Sequence, residues 1–323
     1  MRRLVIGIVA AFAVACSGST TEDASGGESD VTTGKPPAST PPGTATPGAT
    51  PSSTPADGMN ALAKHKAEML TSVWENGTTV LQYGYCENIK DGRGYTSGRA
   101  GFCSGTGDAF LVVKCAGASS PMAKYLPALD KLDQTYESTG KDQASTTTLD
   151  AVGKYCADWT ASAADDGFRA CQDQVVSQLY FEPALAQAKS QGLTTALTKA
   201  ELYDAEINHG DDGVADLVKQ ATADVGAVAG TRTIDQESAW LQAFLARRLA
   251  VLKADPTWAQ AVDRIATYEA ARRAKNFDLS QKLETNAKAS ALYPGQKLQD
   301  SGYPDCVIEP AGGVSGESVC THP

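Results

Sequence analysis

The chain has few of the residues on which several classes of protein depend. Its 323 residues include only 3 histidines, and its 8 cysteines provide neither a CxxC pair nor a second cysteine pair beside a histidine, as zinc sites need. Acidic residues outnumber basic ones by 38 to 28, which disfavours binding to nucleic acid. We therefore predict no metal, no other cofactor and no nucleic-acid partner.

The start of the chain has no apolar run long enough to span a membrane. Residues 1–3 are MRR, and the apolar residues 4–15 that follow have the length of a signal peptide. Residues 13–16, AVAC, resemble a bacterial lipobox, in which the cysteine carries a lipid after cleavage. We predict an exported protein, extracellular or at the cell surface. A lipid on Cys16 would be its only contact with a membrane, and plain secretion is the alternative.

Aromatic residues are absent from residues 17–57, which contain seven prolines and are otherwise rich in Ser, Thr, Gly and Ala. Such a segment cannot bury enough apolar surface to fold. We predict a signal peptide at 1–16, a disordered tether at 17–57, a folded domain at 58–297 and a disulfide-closed tail at 298–323. Residues 58–323 carry 25 basic and 33 acidic residues, and this acidic balance suits a polycationic partner.

Residues 75–108 concentrate glycines, carboxylates and tyrosines. The eight glycines of this stretch allow tight turns and a close approach of the backbone to a ligand. The polar and aromatic side chains among them are Glu75, Glu87, Asp91, Asp108, Arg93, Thr96, Tyr83, Tyr85 and Tyr95. This mixture is typical of a sugar-binding cleft and indicates a secreted glycoside hydrolase.

Two carboxyls of this stretch have different predicted surroundings. An apolar face with Leu62, Met69 and Val73 predicts a helix that stops at Asn76-Gly77, so Glu75 lies at a helix C-terminus. The helix dipole and burial beside Trp74 would keep a proton on Glu75.

Asp91 begins an Asp-Gly-Arg-Gly turn, where Arg93 favours the ionised carboxylate. These surroundings assign the acid to Glu75 and the base to Asp91, as glycosidic cleavage requires. The simpler interpretation is a solvated helix end and an ordinary turn residue.

The motifs of this region resemble those of glycoside hydrolase family 46 chitosanases. The resemblance covers residues 60–295 and is strongest in DGRGYT at 91–96 and GFCSGTGD at 101–108, with AKYLP, LYFEPA and HG further along the chain. It implies an endo-acting, inverting hydrolase of chitosan, with a mainly α, lysozyme-like fold of two helical lobes and a small antiparallel sheet in the cleft. No cofactor is implied, and we expect a monomer.

The same resemblance implies a role for individual residues. Glu75 matches the general acid, Asp91 the general base, and Thr96 the residue that helps to hold the attacking water. The residues that match substrate-binding positions of the cleft are Arg93, Asp108, Tyr85 and His209. Asp108 would contact a glucosamine ammonium group.

Three charged residues lie on the apolar faces of three predicted helices. The faces are Leu241, Leu245, Arg248 and Leu252; Ala261, Arg264, Ile265 and Tyr268; and Ala200, Tyr203, Asp204 and Ile207. An unpaired buried ion is costly, so we predict that the three charges pair with one another. The resemblance implies that they support Glu75, and a buried ion pair that only joins helices is the alternative.

The cysteines are expected to form disulfides in an exported protein. Because a small apolar thiol packs well, we predict that Cys103 is buried and free. The predicted pairs are Cys86 with Cys115, Cys156 with Cys171, and Cys306 with Cys320. Helical patterns cover residues 121–291, whereas alternation typical of strands is confined to 79–85 and 110–113.

Two other functions are compatible with the sequence. A lysozyme-like hydrolase of peptidoglycan or chitin would suit the expected fold and the tether, although Asp108 recognises an ammonium better than an acetamide. A non-catalytic surface lipoprotein that binds amino sugars is the second alternative.

Overall fold

The computed structural model describes residues 59–141, 146–254, 262–285, 303–310 and 318–321. The predicted signal peptide, lipobox and tether lie outside this range. Among the described residues, no helix combines the length and the apolar character that crossing a membrane requires.

Helix α1, Ala61–Asn76, ends at the residue that its sequence predicts. The Asn60 side chain accepts a hydrogen bond from the Ala63 amide (2.8 Å), and Gly77 ends the helix in the left-handed conformation, with φ of 66°. The predicted apolar face is partly wrong, because Leu62 is 38% exposed. The buried face is centred on Ala63, Ala67 and Leu70, and Leu62 lies at its edge.

The first lobe contains a small antiparallel sheet and short helices. Its strands are β1 (Cys86–Glu87), β2 (Thr96–Ser97) and β3 (Phe102–Cys103), in the order β1-β2-β3. Its helices are α2 (Asp108–Ala116), a 3₁₀ turn (Pro121–Tyr125), α3 (Leu126–Thr139), α4 (Thr147–Asp150), α5 (Tyr155–Ser162) and α6 (Asp166–Val176). Stacked and edge-on contacts among Tyr95, Tyr125, Tyr155, Trp159 and Phe168 fill its centre.

Both predicted strand segments are wrong. Residues 110–113 lie inside α2, because four consecutive apolar residues fit a short buried helix as well as a strand. Residues 79–85 form bends and turns rather than a strand, with hydrogen bonds between near neighbours such as Tyr83 N to Leu81 O (3.1 Å).

The second lobe is built from longer helices around α1. They are a π-helical turn (Ser177–Phe181), α7 (Glu182–Ser190), α8 (Ala196–Val225), α9 (Ile234–Ala254) and α10 (Val262–Arg273). The three predicted faces of α8, α9 and α10 are buried, apart from Ala261, which lies outside the described residues. Residues 274–285, the described residues that follow α10, contain no helix, so the predicted helical region is too long. The mainly α fold with a small antiparallel sheet is confirmed.

A second sheet closes the described part of the chain. Strands β4 (Leu283–Glu284), β5 (Asp305–Ile308) and β6 (Ser318–Thr321) are antiparallel, and Cys306 pairs with Cys320 across β5 and β6. This disulfide is the predicted one.

The other predicted pairs are wrong. Cys86 on β1 bonds to Cys156 on α5, and Cys115 at the end of α2 bonds to Cys171 on α6. The packing of β1 on α5 and of α2 on α6 brings these sulfurs together, and closeness in sequence does not. The prediction of a free thiol at Cys103 is also wrong, since no cysteine of the described chain is free. Burial of Cys103 is compatible with a thiol and with a disulfide sulfur alike.

Candidate active site

Glu75 lies in the last turn of α1, with its side chain only 10% exposed. Its Oε1 is 2.8 Å from Nη1 of Arg264. Burial raises the pKa of Glu75 to about 7, the Arg264 guanidinium opposes this rise, and the Asp204 carboxylate adds to it. Near neutral pH the carboxyl therefore exists in both forms, and it can release a proton to a bound molecule.

Asp204 connects the arginines of two helices behind Glu75. Its Oδ1 lies 2.8 Å from Nη2 of Arg264, and its Oδ2 lies 2.8 Å from Nη2 of Arg248. Nε of Arg264 donates a third hydrogen bond, to Oδ2 (3.0 Å), and Thr71 of α1 donates a fourth, to Oδ1 (3.1 Å). Burial alone would raise the pKa of Asp204, but Arg264 and Arg248 outweigh it and lower the pKa to about 2. The predicted mutual pairing of the three charges is confirmed.

Three further residues contact Arg248, of which Asn208 accepts a hydrogen bond from Nη2 (3.1 Å). Glu201, which the sequence analysis missed, accepts a hydrogen bond from its Nη1 (2.8 Å), and burial raises the pKa of Glu201 to about 7. Its signal in the sequence was a position three residues before Asp204, on the same helical face. His209 accepts from Nε of Arg248 (3.2 Å), and burial and the nearby arginines lower the pKa of His209 to about 2. The imidazole is therefore neutral and borders this network.

Asp91 forms the Asx turn that its sequence predicts. Its Oδ1 accepts from the Arg93 amide (3.0 Å), and its Oδ2 lies 2.8 Å from Nε and 2.5 Å from Nη2 of the same arginine. Gly92 and Gly94, with φ of 95° and 83°, give this loop its curvature. Thr96 follows on β2 as a buried side chain. The Nε and Nη2 atoms of Arg93 thus both donate to one oxygen of Asp91.

Asp108 begins α2 and accepts a hydrogen bond from the Thr106 hydroxyl (3.2 Å). Burial raises the pKa of Asp108 to about 7, in spite of this hydrogen bond and the nearby Arg93. Gly107 precedes it with φ of 93°, and a Cβ at this position would lie 2.2 Å from an Asp133 carboxylate oxygen. Glycine is therefore the residue that allows this approach.

Tyr180, on the π-helical turn, lies near charged residues from both sides of the site. It is buried, and the charges of Asp108, Glu75 and Arg93 all act on its hydroxyl. Burial and these carboxylates raise the pKa of Tyr180 well above its ordinary value. Tyr180 was missed as a site residue, although it lies in the LYFEPA motif. Tyr85 lies at the start of the sheet, where its hydroxyl donates to Glu87 (3.3 Å).

The geometry combines an acid that titrates near neutral pH with an arginine-paired carboxylate on a glycine-rich loop. Two carboxyls held in such contrasting surroundings on a helical, two-lobed scaffold are typical of a glycoside hydrolase. The chain belongs to glycosyl hydrolase family 46, whose model matches residues 69–283.

Curated and solved proteins agree with this membership. A chitosanase from Bacillus subtilis (strain 168) is 37% identical over 238 residues, which cover 70% of this chain and 82% of the relative.

A mutant chitosanase from Bacillus subtilis MY002, solved in complex with 6 GlcN, is 34% identical with a TM-score of 0.59, over 70% of this chain and 95% of that one. A Gynuella sunshinyii family 46 chitosanase in complex with chitotetraose is 31% identical with a TM-score of 0.60, over 71% and 96% of the two chains. The roles of individual site residues stay predictions.

Proposed function

We propose that the protein is a chitosanase, which cleaves β-1,4 linkages between glucosamine units inside partly deacetylated chitosan, with inversion at the anomeric carbon. The observation that carries the proposal is the buried Glu75 carboxyl, which lies 2.8 Å from Arg264 and whose pKa burial raises to about 7. Membership of a family whose relatives are named chitosanases supports the substrate.

The reaction divides the chemistry between two carboxyls. Glu75 gives its proton to the glycosidic oxygen as the bond from this oxygen to the anomeric carbon breaks. A water held with the help of Thr96 loses a proton to Asp91, and its oxygen bonds to the opposite face of the anomeric carbon. Exchange with solvent then returns the proton to Glu75 and removes the one on Asp91.

Recognition of the substrate rests on charge and on hydrogen bonds. Asp108 attracts a glucosamine ammonium group when it is ionised, while Arg93, Tyr85 and His209 complete the substrate-binding positions. Complexes of relatives with 6 GlcN and with chitotetraose support a glucosamine polymer as the ligand.

The location and state of the protein are part of the proposal. The enzyme acts as a monomer outside the cell, either released or held at the cell surface by a lipid on Cys16. The lipid would occupy the Cys16 sulfur and so exclude a disulfide at that residue. Radiolabelled palmitate incorporated by the wild type and absent from Cys16→Ala would support the anchor, whereas equal labelling of both would contradict it.

The central test compares Glu75→Gln and Asp91→Asn with Glu137→Gln, which removes an exposed carboxyl of α3. Because each catalytic variant removes a proton-transfer group, we expect kcat on chitosan to fall by about 10²–10⁴-fold, with no change for the control. Release of reducing ends measures the rate, and NMR of fresh products reports the anomer. A retained anomer, full activity of Glu75→Gln, or activity that rises with acetylation of the substrate would contradict the proposal.

A further inference from the structure

The end of the chain forms a hairpin beyond residues 69–283, which the family model matches. We use the name C-terminal hairpin for residues 303–308 and 318–321, which contain β5, β6 and the Cys306–Cys320 disulfide. The hairpin lies against α1 at the turn that carries Glu75. Its Tyr303 ring meets the Trp74 ring edge to face, with 5.2 Å between centroids. Cys306 packs in the same apolar cluster as Trp74.

The hairpin also connects to α10, the helix that carries Arg264. Thr285, directly after β4, donates its hydroxyl to the Pro304 carbonyl (3.1 Å) and accepts from the Cys306 amide (2.8 Å). Thr267 of α10, one turn after Arg264, donates to the Thr285 carbonyl (3.3 Å). The hairpin is thus joined to both helices whose side chains form the Glu75–Arg264 ion pair.

Tyr303 brings the hairpin close to that ion pair. Its hydroxyl is in electrostatic range of Arg264, Glu75 and Asp204, and burial raises the pKa of Tyr303 to about 12, so the hydroxyl is neutral. The adjacent Trp74 Nε1 is buried and has no hydrogen-bond partner among the described residues. The burial of this atom shows that solvent does not reach the Trp74 indole, which is next to Glu75 in the chain and packs against Tyr303.

From these contacts we propose that the C-terminal hairpin is a positioning element for Glu75, in which the Tyr303 ring excludes water from the Glu75–Arg264 pair. The inference rests on the proposed function only for its effect on catalysis. The effect on the Glu75 carboxyl itself can be measured without substrate.

Several groups act on Glu75 besides the hairpin. They are Arg264 of α10, Arg248 of α9, Asp204 and Tyr203 of α8, and Tyr180 of the π-helical turn. Tyr303 differs from these in lying outside the matched family region. A change at Tyr303 therefore tests the hairpin and leaves the other groups in place.

The test replaces Tyr303 with Leu in the full exported protein and uses Tyr303→Phe as the matched control. Loss of the ring admits water to Glu75, which weakens the desolvation that raises its pKa. We expect the pKa of Glu75 to fall by about one unit in Tyr303→Leu and to stay unchanged in Tyr303→Phe, which keeps the ring. Carbon-13 NMR of δ-labelled glutamate, with Glu75→Gln to assign the signal, measures this shift.

The pH profile supplies the functional readout. An acid catalyst must be protonated, so the alkaline limb of kcat should move to lower pH by the same amount in Tyr303→Leu. Thr285→Val, which removes the hydroxyl that holds the hairpin and keeps the side-chain shape, should shift both readouts in the same direction by less. It serves as the second variant if Tyr303→Leu does not fold.

The outcomes separate the two proposals. A lower melting temperature with an unchanged Glu75 pKa and an unchanged pH profile, in both variants, would overturn the inference and leave the hairpin a structural brace. A shifted Glu75 signal in a protein that does not hydrolyse chitosan would support the hairpin inference and refute the proposed function.

Discussion

Glu75 holds its proton near neutrality because the effect of burial on its pKa outweighs the opposing effect of Arg264. Burial raises its pKa, while the Arg264 guanidinium at 2.8 Å favours the charged form. The Asp204 carboxylate also pairs with Arg264, and its negative charge disfavours a second negative charge on Glu75. The effect of burial on the pKa of Glu75 therefore exceeds that of Arg264. An aqueous glutamate would be ionised at this pH.

Replacement of Arg264 by Ala should change both the acid and the fold. Without the cation, the pKa of Glu75 should rise above 7, so the alkaline limb of kcat should move to higher pH, while kcat falls because the carboxyl is no longer held in place. Asp204 would lose one of its two buried arginine partners, which should cost about 3–5 kcal/mol of the free energy of unfolding.

The matched control is Arg247→Ala, because Arg247 is 44% exposed and pairs only with Asp224 among the salt bridges of the described chain. Kinetic pH profiles and thermal melts measure both effects. Unchanged turnover together with lost stability would leave Arg264 with a structural role alone.

Asp108→Asn should separate binding from catalysis. Burial raises the pKa of Asp108 to about 7, so its negative charge is present above that pH and is lost as the pH falls through it. Loss of a charge-assisted contact should raise KM for a glucosamine hexamer several-fold at pH 7, where Asp108 is partly ionised and the substrate amine still carries a proton, with a smaller change at pH 5.5.

Asp216→Asn, an exposed change on the outer part of α8, is the control. Initial rates at the two pH values decide the outcome. An equal rise of KM at both would show that the charge of Asp108 does not carry the contact.

At the scale of residues, the sequence predicts the role of a charged side chain when it lies on an otherwise apolar helical face. Asp204, Arg248 and Arg264 could be predicted because charges on apolar helical faces must find partners. Tyr180 could not be predicted as a site residue from its pattern, because a tyrosine on a helix is most often part of the core. Its proximity to Glu75 and Asp108 depends on the packing of separate elements.

At the scale of elements, long helices were predictable and short strands were not. The periodic faces of α8, α9 and α10 extend over several turns, so isolated exceptions do not obscure them. Strands of two residues such as β1 carry no periodicity at all, and their pairing is set by the glycine-rich turns between them.

Gly210 interrupts α8 and provides a test of this element. Its φ of 69° and ψ of 170° lie in a region that only glycine enters readily. Gly210→Ala should therefore lower the free energy of unfolding by about 1–3 kcal/mol. It should also reduce kcat, because the adjacent His209 accepts a hydrogen bond from Arg248.

Gly140→Ala, at a left-handed position with open space around it, controls for backbone strain alone. Denaturant melts and kcat should show a loss of stability in both variants and a loss of turnover only in Gly210→Ala. Equal turnover in the two would contradict a functional role for the break in α8.

At the scale of the whole molecule, the spacing of the cysteines in the sequence does not predict which of them form disulfides. The pairs Cys86–Cys156 and Cys115–Cys171 are separated by 70 and 56 residues, and each joins elements that meet only in the folded first lobe. The tail pair, Cys306–Cys320, was predictable because the residues after Pro304 include few apolar side chains that could hold the tail in place.

Peptide mapping under non-reducing conditions should recover the Cys86–Cys156 and Cys115–Cys171 links. The double variant Cys86→Ala/Cys156→Ala should lose about 2–4 kcal/mol of unfolding free energy, because an open chain of this length gains conformational freedom when it unfolds. The corresponding Cys306→Ala/Cys320→Ala variant, which opens the much shorter loop, should lose less. Recovery of a Cys86–Cys115 peptide would contradict the packing of β1 on α5.

The meeting of side chains at Asp204 has a consequence for how the chain reaches its native arrangement. Its carboxylate accepts hydrogen bonds from α1, α9 and α10 while it belongs to α8. A helix displaced along its axis by one turn, about 5.4 Å, would bury a similar apolar surface. It would, however, leave a charged side chain in the interior without its partner. We therefore expect the hydrogen bonds of Asp204 to destabilise packings in which a helix is shifted, and so to favour one alignment of the four helices.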